Sequence, residues 1–160
     1  MNATGYLGLF GEAGAALTDE QWVDHANRHL TPNLSALNAR YVKGCRAERW
    51  LQMSYEPGPS ALNFMTLSGG SIAEMLDQTA THCGSLVTGY PCPTLNMTVT
   101  ILRAGTARSY VATGRVVKLS RTTAVLGADL EDDTGIQIAT VILVSQLVTD
   151  LSRLTELSTG

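Results

Sequence analysis

The sequence predicts an α+β domain in which one antiparallel β-sheet wraps around a long central helix. Helical and strand-like segments follow in the order helix, two strands, long helix, four strands. The four segments after the long helix alternate or run apolar at strand length, as antiparallel strands do. With 160 residues and 44% hydrophobic residues, the chain can bury the core of one such domain.

We expect three parts along the chain: an N-terminal extension over residues 1–17, a single domain over 18–150 and a C-terminal tail over 151–160. The extension is mildly apolar, contains Glu12 and lacks a basic region, so it is predicted to be flexible or docked rather than a signal peptide. No apolar run reaches membrane-spanning length. Three cysteines without metal or redox spacing predict reduced thiols and a cytoplasmic protein.

The charge pattern excludes some partners and favours another. The net charge is −3 and no basic run occurs, so neither nucleic acid nor an anionic membrane is an expected partner. Only 16% of the residues are charged, which is low for the surface of a monomer. Like subunits are therefore expected to cover part of the surface.

The first predicted helix starts at Thr18, where Thr18-Asp19-Glu20-Gln21 forms a capping box, and ends near Leu30 before a proline. A helical turn is predicted around 33–37. The predicted strands are 41–47, 49–55, 94–102, 110–119, 123–131 and 137–148.

The central helix carries the residues that point most clearly to chemistry. A second capping-box pattern, Ser71 to Glu74, predicts a helix start at or just before Ser71, and the helix runs to about Gly89. Unpaired N–H groups at such a start can hold an oxyanion or a polarised carbonyl, and Gly69 and Gly70 allow close approach of a ligand. Asp77 follows two turns later and can direct a water or attack beside that carbonyl.

Helical periodicity separates two faces of this helix. Met75, Leu86, Thr79, Ile72, Cys83, Leu76 and Val87 form an apolar arc that is expected to pack on the sheet. Asp77 lies at the shoulder of that arc, beside Ala73, Ala80 and Gly84. Glu74, Gln78, His82 and Ser85 are predicted to face solvent. His82 lies too far around the helix from Asp77 to pair with it within one chain.

Two motifs resemble those of the hotdog-fold thioesterases, specifically the phenylacetic-acid-degradation group. The first is the glycine pair with Asp77 eight residues after Gly69, and the second is the strand from Thr94 to Gly105. The resemblance implies a hotdog fold that hydrolyses an acyl-CoA without a cofactor. It also implies dimers, often paired into tetramers, in which each site combines residues of two subunits.

The resemblance assigns roles to individual residues. Asp77 matches the catalytic carboxylate, acting as general base or nucleophile, and the Gly69 N–H matches the donor to the thioester oxygen. Thr94 falls where a hydroxyl helps to hold the water. Asn63, preferred over Leu62, matches the asparagine of the motif, and Ser68 stands where the family usually has histidine.

Arg103 and Arg121 are candidate contacts for coenzyme A phosphates, because arginine binds phosphate in a bidentate manner. His25 and His29 have the i, i+4 spacing of metal ligands, but no third ligand is evident, and no metal is predicted. No Gly-x-Ser-x-Gly, P-loop or dinucleotide motif occurs. Besides thioester hydrolysis, two alternatives remain: a non-catalytic acyl-CoA-binding protein, motivated by Ser68, and, as the least favoured, an enoyl-CoA hydratase or dehydratase.

Overall fold

The computed structural model describes residues 3–152 and residue 154, and it confirms the predicted α+β architecture. The helices are α1 (Ala3–Leu7), α2 (Gly11–Ala15), α3 (Asp19–Arg28), α4 (Pro32–Ala36) and α5 (Gly69–Thr88). The strands are β1 (Arg40–Cys45), β2 (Trp50–Tyr55), β3 (Leu62–Asn63), β4 (Thr66–Leu67), β5 (Thr94–Ile101), β6 (Tyr110–Leu119), β7 (Thr123–Asp132) and β8 (Gln137–Gln146).

Six of the strands form one antiparallel sheet in the order β1-β2-β6-β7-β8-β5. The two remaining strands, β3 and β4, pair as a separate short hairpin just before α5. Helix α5 packs against the sheet and contacts all six of its strands. Consequently β5 is one edge of the sheet, and it lies next to the central helix.

The apolar arc of α5 packs as its periodicity predicts. Ile72, Met75, Leu76 and Leu86 are all at most 1% exposed, and each such side chain contributes about 1.5–3 kcal/mol by its burial. The helix approaches β6 so closely that a Cβ at Gly114 would lie 2.7 Å from the Thr79 carbonyl oxygen. Glycine in β6 therefore sets the distance between helix and sheet.

The predicted capping box at Ser71 and Glu74 is wrong. Ser68 is the N-cap, and its Oγ accepts a hydrogen bond from the Ser71 N–H at 3.0 Å. The two glycines are thus the first two residues of the helix rather than the loop before it. At the other end Gly89 adopts φ 75°, the left-handed conformation that commonly ends a helix. The capping box at Thr18 and Gln21, by contrast, is confirmed.

The N-terminal segment, residues 5–17, is docked on the rest of the chain. Leu9 and Phe10 are at most 3% exposed and belong to the main core. The buried Trp22 indole donates to the Leu9 carbonyl at 3.0 Å. The Arg46 guanidinium donates to the carbonyls of Gly14, Leu17 and Leu86, so it ties this segment to the end of α5.

This docking overturns the prediction that His82 and Ser85 face solvent. They are only 5% and 3% exposed. The prediction failed because the helical wheel distinguishes the sheet-facing side of α5 from the other side, but it contains no information about a second layer. Here residues of the N-terminal segment, led by Tyr6, form that layer.

None of the helices among the described residues is long and apolar enough to cross a membrane.

Candidate active site

Asp77 and Thr94 lie together, although 17 residues separate them in the sequence. The Thr94 hydroxyl donates to Asp77 Oδ1 at 2.5 Å. Both side chains are half-buried. Helix α5 supplies the carboxylate and the first residue of β5 supplies the hydroxyl, so the contact fixes the edge strand against the central helix.

A β-bulge at Leu95 aims Thr94 at Asp77. Thr94 pairs with Ser145 and Asn96 with Val144, so two residues on β5 correspond to a single step on β8. Ser145 is fully buried on the helix-facing side of the sheet, and its cross-strand partner Thr94 shares that side. Bulges often direct a side chain in this way next to an active site.

The Asp77 carboxyl has a raised pKa. Burial is the main cause, because it disfavours the charged form. The Thr94 hydrogen bond lowers the pKa against this effect, and the nearby charge of Glu74 raises it. A carboxylate with a raised pKa is a stronger base than an ordinary aspartate, which suits it to take a proton from water.

The start of α5 presents two exposed glycines. The backbone N–H groups of Gly69 and Gly70 belong to the first turn, where no intrahelical acceptor exists. The Ser68 hydroxyl is already engaged, since it caps the helix and donates to Ser71 Oγ at 2.8 Å. Gly69 lies eight residues before Asp77, or about 12 Å along the helix axis.

The other predicted site residues are spread over the surface. Asn63 is exposed and pairs with Thr66 in the β3–β4 hairpin. Arg103 and Arg121 are also exposed, but at opposite ends of the sheet. Arg121, in the β6–β7 turn, lies at the Thr94 end of β5, whereas Arg103 follows the Ile101 end.

A groove of about 290 Å³ extends from Asp77 and Thr94 along α5 as far as Ser85. Tyr6 of α1 forms part of its wall, and its hydroxyl lies 3.1 Å from His82 Nε2. Neither Tyr6 nor His82 was predicted from the sequence as part of a site. The only signal that points to them is the mild apolarity of residues 1–17, which does not say where that segment docks.

His82 and Asp77 do not pair, as predicted. The ring nitrogens of His82 meet Tyr6 and the Gln78 carbonyl instead. The histidine–acid pair on which the hydratase alternative depends is therefore not formed within the chain. His25 Nε2 lies 2.6 Å from the Gly5 carbonyl, and no group of three His, Cys, Asp or Glu side chains within the described ranges is placed to hold a metal.

The chain is similar to known proteins in part of its sequence and in its fold. Residues 64–139 match the family model of the thioesterase superfamily. A comparison with curated proteins finds no match. The solved structure of the PaaI protein from the phenylacetic acid degradation operon of E. coli is 18% identical, with a TM-score of 0.70 over 79% of this chain and 91% of that chain.

Two further solved structures have the same fold. Zebra fish thioesterase superfamily member 2 is 21% identical, with a TM-score of 0.71 over 83% of this chain and 100% of that chain. A Streptococcus mutans protein bound to acetyl-CoA is 22% identical, with a TM-score of 0.63 over 69% of this chain and 89% of that chain.

The fold and the carboxylate site thus define a hotdog-fold protein, as predicted. The match of residues 64–139 to the thioesterase superfamily model supports the resemblance to hotdog-fold thioesterases, and the likeness to PaaI shows a shared fold. The matched segment includes Gly69, Asp77 and Thr94. Tyr6 lies outside it.

Proposed function

We propose that the chain is an acyl-CoA thioesterase in which Asp77 is the general base or the nucleophile. The observation that carries this proposal is the half-buried Asp77 carboxylate, raised in pKa and held by Thr94 at the mouth of a groove. The family match and the acetyl-CoA bound to the similar Streptococcus mutans protein support coenzyme A thioesters as substrates.

With Asp77 as base, the reaction needs only the groups that the site supplies. The carboxylate takes a proton from a water that the Thr94 hydroxyl helps to hold, and the water oxygen attacks the thioester carbonyl carbon. Backbone N–H groups stabilise the resulting oxyanion. The C–S bond then breaks, the proton passes to the departing sulfur, and the products are the carboxylic acid and coenzyme A.

The N–H donor in this proposal comes from a second subunit. Within one chain Gly69 and Asp77 are about 12 Å apart along α5, too far to act on one carbonyl. They also mark opposite ends of β5, because a Cβ at Gly69 would contact Ile101 Cδ1 at 3.4 Å while Asp77 contacts Thr94. Antiparallel pairing of β5 with a second copy would place the Ile101 end of one strand beside the Thr94 end of the other.

The surface of β5 fits such pairing. It is an edge strand with no partner on its outer side among the residues that the structure describes. Its apolar side chains Leu95, Met97 and Ile101 are 60%, 42% and 47% exposed. A two-fold axis through this edge would also bring the partner subunit's Arg103 to the end of the sheet that carries Arg121, where each can meet a phosphate of coenzyme A.

The β3–β4 hairpin offers a further contact for a subunit. Phe64 at its tip has φ 53° and is 99% exposed, beside Met65 at 75%. A bulky residue in this backbone region is uncommon, and such strain clusters at functional contacts. We assign the tip to the interface with a second copy, in a dimer or tetramer of a cytoplasmic protein. The free thiols of Cys45, Cys83 and Cys92 support a reducing compartment.

The test is to measure coenzyme A release from a panel of acyl-CoAs with the wild type and Asp77→Asn. We expect the substitution to reduce kcat/KM by about 10²–10⁴-fold, the usual contribution of a general base. The variant keeps the shape of the side chain, so its unfolding temperature should verify an intact fold. Equal rates for the two proteins across the panel would reject the assignment.

Ser68 supports one alternative, a protein that binds acyl-CoA without hydrolysing it. By the resemblance, Ser68 stands where the family usually has histidine. Its hydroxyl is occupied by the helix cap, so one polar contact to the carbonyl would be missing. Calorimetry with a non-hydrolysable acyl-CoA analogue separates the two functions. Tight binding together with no measurable coenzyme A release would favour the binding protein.

A further inference from the structure

The groove beside Asp77 follows one side of α5. Five residues of the helix line it, and the first and last are eight positions, or about 12 Å, apart: Asp77, Gln78, Thr81, His82 and Ser85. The facing wall includes Pro91, Pro93 and Val148, and the lining is mainly apolar. The groove is thus continuous with the candidate catalytic carboxylate and leads away from it along the helix.

The size of the groove fits a chain of moderate length. Its volume of about 290 Å³ corresponds to about ten water-sized groups, since a water occupies about 30 Å³ of the liquid. A methylene group is of similar size. An extended acyl chain of about six to ten carbons therefore fits within the volume and the length of the groove.

Tyr6 is held in the groove wall by a defined hydrogen bond. The Gln78 carbonyl can only accept, so His82 Nδ1, at 2.7 Å, carries the proton. Nε2 then accepts from the Tyr6 hydroxyl at 3.1 Å. Burial lowers the pKa of His82 to about 4, which keeps this neutral tautomer at physiological pH.

Aromatic neighbours fix the two rings further. Tyr6 packs edge-on against Phe10, with ring centroids 5.4 Å apart, and His82 packs in the same way on Tyr41. Tyr6 therefore meets the groove at the level of His82, five residues or about 7.5 Å beyond Asp77. Its position depends on the docked N-terminal segment, which lies outside the family match.

We propose that this groove binds the acyl chain of the thioester, and that Tyr6 is a specificity-determining residue that restricts the chain to medium length. The inference rests on the proposed thioesterase function and adds its substrate class, a medium-chain acyl group. His82 acts as a positioning residue for Tyr6.

The test compares kcat/KM for saturated acyl-CoAs from acetyl to palmitoyl. In the wild type we expect kcat/KM to rise by about fourfold for each methylene buried, to reach a maximum at octanoyl or decanoyl, and to fall for longer chains. Tyr6→Ala should move the maximum to lauroyl or longer and raise the palmitoyl-to-octanoyl ratio at least tenfold. Thr81→Phe, which fills the groove nearer Asp77, should move the maximum to shorter chains.

Two further variants separate the effect of the wall from that of the N-terminal segment. Tyr6→Phe keeps the ring but loses the hydrogen bond to His82 that positions it, so its maximum should lie between those of the wild type and Tyr6→Ala. Tyr90→Ala makes the same truncation as Tyr6→Ala outside this groove, and its profile should be unchanged. Should Tyr6→Ala unfold, Tyr6→Leu offers a smaller change, with the thermal unfolding temperature as the check.

The inference is overturned if the Tyr6 variants change kcat/KM for all acyl-CoAs by the same factor, or if they alter only the assembly state. The groove would then be a packing surface.

A wild type that hydrolyses no acyl-CoA refutes the proposed function instead. Calorimetry with octanoate then still tests the groove. Binding to the wild type that Thr81→Phe abolishes supports an acyl site, and absence of binding rejects it.

Discussion

The two ends of helix α5 differ in how far the rest of the chain covers them. From Asp77 to Ser85 the helix is covered by its own chain: Thr94 binds the carboxylate, and the N-terminal segment buries His82. At the other end Gly69 and Gly70 are exposed beside the bare tip of the β3–β4 hairpin. The difference suggests that one chain supplies both the base and the groove of a site, whereas the oxyanion donor of that site comes from a second copy.

The effect of removing the donor at the exposed end should be second only to that of Asp77→Asn. Gly69 is the first residue of α5, a position where proline is well tolerated, and Ser68 with ψ 147° already has the backbone conformation that precedes proline. Gly69→Pro deletes only the N–H. We expect kcat to fall by about 10²–10³-fold, as for loss of an oxyanion-hole donor.

Gly69→Ala is the matched control for this change. Its Cβ would meet Ile101 Cδ1 at 3.4 Å, an ordinary contact, and the N–H is retained. Activity should therefore remain near that of the wild type. Loss of activity in the alanine variant, or full activity in a folded proline variant, would contradict the assignment of this N–H.

At the covered end, two substitutions should shift the pH profile in opposite directions. The Thr94 hydroxyl lowers the pKa of Asp77, so Thr94→Val should raise that pKa and move the acid limb of kcat/KM to higher pH. Glu74 raises the same pKa by its charge, so Glu74→Gln should move the acid limb to lower pH, by a smaller amount.

Thr94→Ser keeps the hydroxyl and serves as the control, with an acid limb close to that of the wild type. Shifts of the same sign in the valine and glutamine variants would show that Asp77 does not set the limb. The limb itself should lie above the ordinary aspartate pKa of 3.8, because burial raises the pKa of Asp77.

Sequence patterns predicted the helices and strands around the site only in part. Strand β6 was predicted with its observed bounds, since alternation reports one buried face. The start of α5 was misplaced because Ser68 and Ser71 are both suitable caps and the glycines look like a loop. Their placement as the first helical residues depends on the backbone, where Ser68 binds the Ser71 N–H.

The candidate site, too, could be predicted from the sequence only in part. The resemblance indicated Asp77 and Thr94, but only the bulge at Leu95 explains how the Thr94 hydroxyl reaches the carboxylate. A bulge is a relation between two strands, so one strand's sequence does not reveal it. Tyr6 was missed for the same reason: its partner His82 lies 76 residues away.

The smallest expected effect concerns a buried hydroxyl near the covered end. Ser145 Oγ is fully buried and has no oxygen or nitrogen hydrogen-bond partner among the residues that the structure describes; it interacts only with the Cys92 thiol, and sulfur is a weak partner. Its burial is therefore poorly compensated, and Ser145→Ala should stabilise the fold by up to about 1 kcal/mol, or about 2–4 °C in Tm.

Thr79→Val is the contrasting variant. The Thr79 hydroxyl is equally buried but bonded to Tyr55 and to the Met75 carbonyl, so its loss should cost about 1 kcal/mol. Calorimetric unfolding distinguishes the two. A Ser145→Ala variant less stable than the wild type would mean that the hydroxyl has a stronger partner than the thiol, such as a buried water.

Each active site is proposed to combine Asp77 of one subunit with the Gly69 N–H of its partner. Mixing Asp77→Asn and Gly69→Pro subunits, after unfolding and refolding together, tests this arrangement most directly. Each mixed dimer would then contain one intact site and one doubly altered site, so activity should recover to about a quarter of the wild-type value for random pairing. If mixed dimers form, as native mass spectrometry can verify, and remain as inactive as either parent, the shared site is contradicted.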